Sequence, residues 1–202
     1  MSYLKYLKNI TLLLFTSLLL SSCATQVKSL KKDKDLVIDA DEGYLFMSVD
    51  TSMDLHKILI TGEKTIVLTK DDLQRGTSYI LVKLPAGEYT IDKVFSGRST
   101  QFILDDNLWE FKVSPQVISY IGNLKVSHRN WGFSAYFELN NHSSYALEYI
   151  EKEFPKILSS RKIEYSGPGK DRFFDLVRSK NKDKPKKKLS KKTNSDKKEA
   201  QL

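Results

Sequence analysis

Apolar and polar residues alternate along the middle of the chain with the period of a β-strand. Side chains of a strand point alternately to its two faces, so this period predicts strands that bury one face. The alternation is clearest in three apolar sets: Trp109, Phe111 and Val113; Leu124 and Val126; and Phe133, Ala135, Phe137 and Leu139. A sheet with one buried face is therefore expected here.

Further short runs rich in β-branched and aromatic residues precede these sets, at residues 44–49, 57–61, 65–69, 79–84 and 89–95. The run 79–84 is apolar apart from Lys83, which is typical of a strand covered on both faces. A turn is expected directly after it, because Pro85 presets one backbone angle and Gly87 closes the turn. The spacing of the runs predicts a mainly β domain over residues 41–178, an antiparallel β-sandwich or a partly closed barrel.

One C-terminal helix is predicted near residues 144–154, packed on the sheet. An apolar side chain recurs every four residues along it, at Ala146, Ile150 and Phe154. Ser143 or Ser144 is the expected N-cap, and Pro155 would end the helix. Phe173, Phe174 and Val177 suggest one more short segment that docks on the body.

The first 22 residues have the three regions of a secretory signal peptide. Lys5 and Lys8 give a positive start, residues 10–20 form an apolar core, and small residues follow. The apolar core is about eleven residues long, whereas a membrane-spanning helix needs about 20. Residues 1–22 are therefore expected to direct export and to be removed.

The apolar core ends in the motif Leu20-Ser21-Ser22-Cys23, which resembles a bacterial lipobox. The resemblance implies that the Cys23 thiol is diacylated with fatty acids such as palmitate and becomes the first residue of a lipoprotein. The alternative is an ordinary signal peptide that ends beside a cysteine. Ala24 stands where an aspartate would imply inner-membrane retention, so the resemblance implies the outer membrane in an organism that has one.

The residues after the lipobox, 23–40, are polar and highly charged. Their apolar residues show no strand or helix periodicity before Leu36, and such a composition is typical of a flexible segment. We therefore expect the lipidated N-terminus to continue as a tether that holds the domain away from the bilayer. Cys23 is the only cysteine, so the mature chain forms no internal disulfide.

The body also carries motifs that resemble a family of β-sandwich proteins. They are Leu84, Pro85, Gly87 and Tyr89; Val113 and Pro115; and Tyr120, Ile121 and Gly122. Together they resemble bacterial envelope lipoproteins built on a transthyretin-like or immunoglobulin-like sandwich. The resemblance implies an envelope protein and carries no catalytic residues with it.

The basic charge of the chain is concentrated at its C-terminus. The whole chain carries +8, and from Arg178 onward eleven Lys or Arg residues face three Asp or Glu residues. We interpret residues 179–202 as a disordered lysine-rich tail. Its candidate partners are cell-wall polymer, lipopolysaccharide and anionic lipid, contacted through Lys186, Lys187, Lys188, Lys191 and Lys192. Export makes nucleic acid an unsuitable partner, and the alternative is a solvated end without a partner.

No residue grouping in the sequence predicts an enzyme, a cofactor or a metal site. The three histidines, His56, His128 and His142, lack the spacing that places two ligands on one helix face. His128 is in phase with the apolar residues of a strand and is interpreted as a histidine at the rim of the core. The acidic pairs Asp71-Asp72 and Asp105-Asp106 are typical of turns.

One loop is a candidate for ligand binding. Arg129, Asn130 and Trp131 place a cation, an amide and a large ring at one end of the predicted sandwich, where binding residues often collect. Such a group could hold a glycan or a small molecule. The alternative is that Trp131 begins a strand and fills the core. The sequence thus favours a non-enzymatic scaffold, assembly or binding module with an envelope protein partner.

Overall fold

A computed structural model describes residues 24–34, 37–129 and 134–182, with the backbone alone for residues 129, 181 and 182. Within these residues the strands are β1 (Thr25–Gln26), β2 (Glu42–Thr51), β3 (Lys57–Gly62), β4 (Ile66–Thr69), β5 (Gly76–Pro85), β6 (Gly87–Phe95), β7 (Gln101–Ile103), β8 (Glu110–Val113), β9 (Val117–Arg129), β10 (Ser134–Asn140) and β11 (Lys162–Tyr165). The helices are α1 (Ser143–Glu153), α2 (Pro155–Ser160) and α3 (Phe173–Lys182), and a 3-10 turn covers Asn107–Trp109. None of these described helices is long and apolar enough to cross a membrane.

The strands form two separate sheets that pack face to face. The first sheet has the order β1-β4-β3-β6-β7, and β8 also pairs with β6. The second sheet has the order β10-β9-β2-β5, and β11 also pairs with β9. The mainly β fold class predicted from the alternation is confirmed, in its sandwich form.

The centre of the second sheet contains a parallel pair that the alternation did not reveal. β2 and β9 run in the same direction, with Tyr44 opposite Ile118. Parallel neighbours need a long connection, and the chain between these two strands supplies one by building most of the first sheet. β11 also lies parallel to β9.

The turn predicted after residue 84 carries the chain from one sheet to the other. β5 ends at Pro85 and pairs with β2, whereas β6 begins at Gly87 and pairs with β3. The two strands beside the turn are therefore not partners of each other. The intervening Ala86 donates its backbone N–H to the Asp41 carbonyl at 2.6 Å, which fixes the crossing.

The long strand β9 changes its partner halfway along one edge. Its first part pairs with β11 up to Tyr120, and its second part pairs with β10 from Asn123 onward. Gly122, with φ of +119°, lies at the change. A Cβ atom there would stand 2.9 Å from the Asn140 carbonyl oxygen, so the close approach of the two strands requires glycine.

Two hydrophobic cores lie on the opposite faces of the second sheet. The core between the sheets is mainly aliphatic and contains Leu45, Met47, Ile58, Ile60, Ile91, Val113, Leu124 and Val126, together with Trp109 and Phe111. The core between the second sheet and the helices is more aromatic and contains Tyr44, Phe46, Tyr120, Phe154 and Phe174, together with Ala146, Ile150 and Ile157. Both faces of this sheet are therefore covered.

The predicted helix is present as α1, and its apolar stripe is buried on the second sheet. Its N-terminal contact differs from the prediction, because Ser143 is the first helical residue and not the cap. The Asn141 side chain accepts the Ser143 N–H at 2.9 Å instead. Pro155 follows the end of α1, as expected, and also begins α2, where its missing N–H has no cost.

Candidate functional site

The N-terminal strap, which we define as residues 24–34, is bound to the body and is not a free tether. Its first part is strand β1, which extends the first sheet beside β4. Thr25 donates its N–H to the Thr65 carbonyl at 2.9 Å, and Val27 donates to the Val67 carbonyl at 3.1 Å. The strap is therefore fixed from the second residue after Cys23 onward.

The strap then crosses to the edge of the second sheet. Leu30 donates its backbone N–H to the Leu81 carbonyl at 2.8 Å, and the Leu81 N–H donates back to the Ser29 hydroxyl at 3.0 Å. Ser29 also donates its N–H to the Asp72 carboxylate at 3.0 Å, and the Lys31 ammonium donates to the same carboxylate at 2.6 Å. Asp72 is 4% exposed, so this carboxylate is a buried anchor and not the ordinary turn residue that the sequence predicts.

The end of the strap reaches the helix layer. The Asp33 carboxylate accepts the backbone N–H of Lys156 at 2.8 Å and of Ile157 at 3.2 Å, which are among the unpaired donors of the first turn of α2. Over residues 24–34 the predicted tether is thus wrong. Polar residues dock here because the sheet edges and the helix end offer backbone groups, and these need hydrogen bonds rather than apolar partners.

Strand register separates the sandwich into two ends. We call the end at Glu42, where β2 begins and Pro85 lies opposite, the corner end. The other end, at Thr51 opposite Gly76, is the loop end. β9 runs parallel to β2 and reaches the loop end at Arg129, the first residue of the predicted ligand loop.

Most of the predicted site residues lie outside the described residues. These are Cys23, Asn130, Trp131 and the five tail lysines Lys186, Lys187, Lys188, Lys191 and Lys192. Arg129 is placed as the last residue of β9, without a described side chain. The structure fixes instead the three points from which these segments leave the body: Thr25, Arg129 and the end of α3.

Helix α3 runs back along β11, toward the corner end. The Phe174 ring lies 5.9 Å from the ring of Tyr120, and Arg178 donates from Nη2 to the Ile163 carbonyl at 2.8 Å. Tyr120 pairs with Tyr165, two residues beyond Ile163 along β11. Because successive turns of α3 contact earlier residues of β11, the helix and the strand are antiparallel.

A cleft of about 230 Å³ lies where α1, α2, β11 and α3 meet. Its apolar walls include Leu147, Leu158, Ile163, Phe174 and Val177. Three cations, Arg161, Lys162 and Arg178, and one carboxylate, Glu151, also line it. Lys162 pairs with Val117, the first residue of β9, so the cleft lies at the corner end of the helix layer. Two of the cations are ion-paired, Lys162 with Glu164 and Arg178 with Asp175, so the lining combines apolar walls with partly neutralised charge.

The core beneath the helices contains hydroxyl groups among its aromatic rings. The Tyr79 and Tyr149 rings stack at 3.9 Å, and the Ser48 hydroxyl donates to the Asn123 amide oxygen at 2.8 Å. Burial raises the pKa of Tyr120 to about 12, although the neighbouring Ser48 side chain acts in the opposite direction. These hydroxyls stay protonated at neutral pH, and they favour a structural role over an acid–base role.

Asp171 joins the start of α3 to the start of α1. It accepts the Ser143 hydroxyl at 2.6 Å and the Phe173 N–H at 2.8 Å. Burial alone would raise the pKa of the Asp171 carboxyl, but hydrogen bonds from Ser143, Asn141 and two backbone N–H groups outweigh it and lower the pKa. Asp171 is therefore a charged anchor between two helices.

His128 and Asp106 lie where the sequence predicts them, at the rim of the core and in a turn. His128 is half-buried near the loop end with its ring 6.1 Å from Phe102, which agrees with the predicted rim position. Asp106 accepts the Leu108 N–H at 3.1 Å, as expected of a turn residue. Among the residues that the structure describes, no three His, Cys, Asp or Glu side chains are grouped to hold a metal ion.

Comparison with protein-family models, curated proteins and solved structures finds no match for this chain. The candidate functional features are Cys23, where the sequence resembles a lipobox, the strap that follows it, the corner-end cleft and the predicted lysine tail. Sequence reasoning missed the strap and the cleft, because both depend on residues far apart in the chain. Asp33 and Lys156, for example, are 123 positions apart.

Proposed function

We propose that this protein is a lipid-anchored lipoprotein of the cell envelope that acts as a non-enzymatic scaffold, assembly or binding module. The observation that carries the proposal is the short distance along the chain between Cys23 of the predicted lipobox and the first strand of the fold. Cys23 is followed after one residue by Thr25, the first residue of β1. A thioether-linked lipid on Cys23 would hold the folded body directly against the bilayer.

The anchor alone would suffice for stable attachment. Each buried methylene contributes about 0.8 kcal/mol, and two acyl chains give durable membrane binding where one gives marginal binding. In an organism with an outer membrane, Ala24 favours that membrane over the inner one. The body would then present its loop end away from the lipid, because β1 runs away from the corner end and the chain enters it from that side.

A contact surface for a protein partner is available on the first sheet. The exposed fractions of Ile103, at the end of edge strand β7, and of Leu108, in the following 3-10 turn, are 60% and 54%. Apolar side chains beside a sheet edge favour pairing with another chain. This surface supports a binding or assembly role for the body itself.

Membrane fractionation of the wild type and of Cys23→Ser tests the anchor. The wild type should remain with the membrane after a high-salt wash and should incorporate labelled palmitate, and the variant should do neither. A Ser22→Ala variant keeps the thiol and a small residue at the cut, so it serves as the matched control. Equal membrane retention and labelling of wild type and Cys23→Ser would contradict the proposal.

The partner role is tested separately by crosslinking in intact cells. A chain that ends at Lys182 should retain its specific crosslinked partners, whereas Ile103→Asp with Leu108→Asp should lose them. Loss of every partner on removal of the tail alone would count against a binding role for the sandwich.

Small-ligand binding is a second candidate function, favoured by the corner-end cleft with its apolar walls and three cations. The predicted alternative, glycan capture at Arg129–Trp131, is distinguished from it by tryptophan emission. Glycans that quench the wild type but not Trp131→Ala would support the loop. Binding of an alkyl phosphate that survives Trp131→Ala and is abolished by Val177→Glu would support the cleft. No response to either ligand class would remove this second function.

A further inference from the structure

A polar groove of about 230 Å³ lies on the outer face of the first sheet. The neighbours Ile58 and Leu68 point into the core between the sheets. Lys57 and Thr69, one position away on β3 and β4, therefore point to the outer face. These two residues lie directly opposite each other, and both line the groove. Lys57 also pairs with Phe95, the last residue of β6, which places the groove at the loop end.

Three basic side chains line this groove: those of His56, Lys57 and Lys70. The Lys57 ammonium lies 4.2 Å from the centre of the Phe95 ring, which attracts the cation without neutralising it. Among the residues that the structure describes, neither Lys57 nor Lys70 is paired with a carboxylate. The groove differs in this respect from the corner-end cleft, where two of the three cations are ion-paired.

Uncharged hydrogen-bond donors complete the lining. The Thr69 hydroxyl is buried and has no hydrogen-bond partner among the described residues. Such a group costs free energy, and an acceptor bound in the groove would satisfy it. The strap contributes Gln26, which lies opposite Val67 at the edge of the sheet and adds the N–H groups of an amide. The His56 ring adds at least one N–H donor at neutral pH.

The negative charge beside the groove is largely paired. Asp71 lines the groove, but its carboxylate pairs with Lys28 at 3.6 Å. The next carboxylate, Asp72, is buried and accepts hydrogen bonds from Ser29 and Lys31 of the strap. The groove therefore combines two unpaired ammonium groups with several N–H and O–H donors. Such donors favour a phosphate group, which has several acceptor oxygens and, as a monoester, a charge of about −1.5 to −2 at neutral pH.

We propose that this groove, which we name the lysine groove, binds the phosphate group of a phosphomonoester. Lys57 and Lys70 balance its negative charge, and His56, Thr69 and Gln26 donate hydrogen bonds to its oxygens. The site is separate from the corner-end cleft and does not require a lipid anchor. Soluble phosphomonoesters and phospholipids with a terminal phosphate offer the same chemical group, and the experiment distinguishes these two sources.

The test is a titration of the full chain with glycerol phosphate, in nonionic detergent at about pH 7.5, followed by the backbone amide chemical shifts. The largest shifts should belong to residues 56, 57, 69 and 70 and should saturate. Sodium chloride of equal ionic strength should not produce them, because salt screens charges without occupying a site. Lys57→Gln with Lys70→Gln should raise Kd at least about tenfold, because it removes two charge-assisted hydrogen bonds.

The matched control, Lys64→Gln with Lys125→Gln, removes the same charge from exposed positions outside the groove. Its Kd should stay within about twofold of the wild-type value. An equal increase of Kd in both double variants would overturn the proposal, as would a wild-type Kd in Lys57→Gln with Lys70→Gln or shifts that do not saturate. Shifts confined to residues 183–202 would overturn it as well, because the tail and not the groove would then bind the phosphate.

Phosphatidic acid, added to the same micelles, identifies the source of the phosphate. It carries the phosphomonoester of glycerol phosphate on two acyl chains, and phosphatidylcholine, a phosphodiester, is its matched lipid. Tighter binding of phosphatidic acid than of glycerol phosphate, abolished by Lys57→Gln with Lys70→Gln, would identify a lipid headgroup as the ligand. Equal or weaker binding of phosphatidic acid would identify a soluble ligand. An equal response to phosphatidylcholine and phosphatidic acid would overturn the assignment of a phosphomonoester.

Discussion

The N-terminal strap and the C-terminal helix α3 both lie at the margin of the fold, but they are held in different ways. The strap is held by backbone hydrogen bonds to β4 and β5 and by two carboxylates, Asp72 and Asp33. α3 is held mainly by one buried ring, Phe174, which is 5% exposed and packs on Tyr120. The strap therefore connects three layers, whereas α3 covers one.

The difference shows that polar composition does not decide whether a segment is attached. An apolar segment docks by removing its side chains from water, and α3 follows that rule through Phe174. A polar segment docks where a sheet edge or a helix end has backbone groups to satisfy, and the strap follows this second rule. Four experiments test this difference between the strap and α3.

Replacing residues 24–34 with a glycine–serine linker of the same length should have the largest effect. The eight hydrogen bonds described above between the strap and the body are lost or weakened, each with a net value of about 1 kcal/mol, and the edges of both sheets are uncovered. We expect the free energy of unfolding to fall by about 5 kcal/mol and Tm by about 10 to 20 °C. Thermal unfolding followed by circular dichroism measures this.

The matched control replaces Lys186, Lys187, Lys188, Lys191 and Lys192 with glutamine. It changes a similarly polar end segment, and Tm should stay within about 2 °C of the wild type, as for surface substitutions in general. A linker variant as stable as this control would show that the strap does not contribute to the fold.

Phe174→Ala should release α3 and leave the sandwich folded. Removal of a buried phenylalanine costs about 3 to 5 kcal/mol, and here the undocking of one peripheral helix limits the global loss. Hydrogen exchange should become faster in α3, with β2 and β9 unchanged. Leu176→Ala is the control, since Leu176 is 54% exposed, and it should leave the exchange unaffected. Faster exchange throughout β2 and β9 would show that α3 supports the whole fold.

Asp72→Ala should destabilise the protein by about 2 kcal/mol. The substitution leaves the Ser29 N–H and the Lys31 ammonium without their buried acceptor. Asp71→Ala is the matched control, because Asp71 pairs with Lys28 at 3.6 Å with both side chains largely exposed. Such surface pairs contribute about 0 to 1 kcal/mol. Urea unfolding distinguishes the two variants. Equal losses of free energy of unfolding would contradict the role of Asp72 as a buried anchor.

The sequence predicts the sheet better than it predicts the connections between layers. The alternation over Phe111 and Val113, and over Leu124 and Val126, places these side chains in the core, because a strand period is a local property. The parallel pairing of β2 with β9 has no local signal, since the two strands are separated by a long segment of the chain that forms other strands.

The candidate site divides in the same way. Cys23 and the tail lysines are predicted by composition and by local motifs, and their roles stay predictions. The role of Asp72 as a buried anchor could not be predicted, because its partner Ser29 lies 43 residues away. The pair Asp71-Asp72 is, by its local composition, typical of a turn. The direction in which the strap enters the first sheet follows from the parallel pairing of β1 with β4, and this pairing is not encoded in either segment.

The smallest expected effect is a pH dependence at the start of α3. Hydrogen bonds lower the pKa of Asp171 below its usual value of 3.8, so the folded state favours the charged carboxylate. A lowered folded pKa gives stability that is complete above the unfolded pKa and is lost as pH falls through the folded pKa. Asp171→Asn keeps an acceptor for the Phe173 N–H and removes the charge. The free energy of unfolding of the wild type should exceed that of this variant by about 1 kcal/mol at neutral pH.

Urea unfolding of the two proteins at about pH 7, 4 and 2.5 measures the dependence, since these values bracket the carboxyl titration. The difference in free energy of unfolding between the wild type and Asp171→Asn should be largest at neutral pH. It should shrink below about pH 4, as the wild-type carboxyl becomes protonated. Asp175→Asn, a change to an exposed carboxylate of the same helix, is the control and should show little pH-dependent difference. A constant difference between wild type and Asp171→Asn from neutral to acid pH would show that Asp171 joins the helices through shape and hydrogen bonding rather than through its charge.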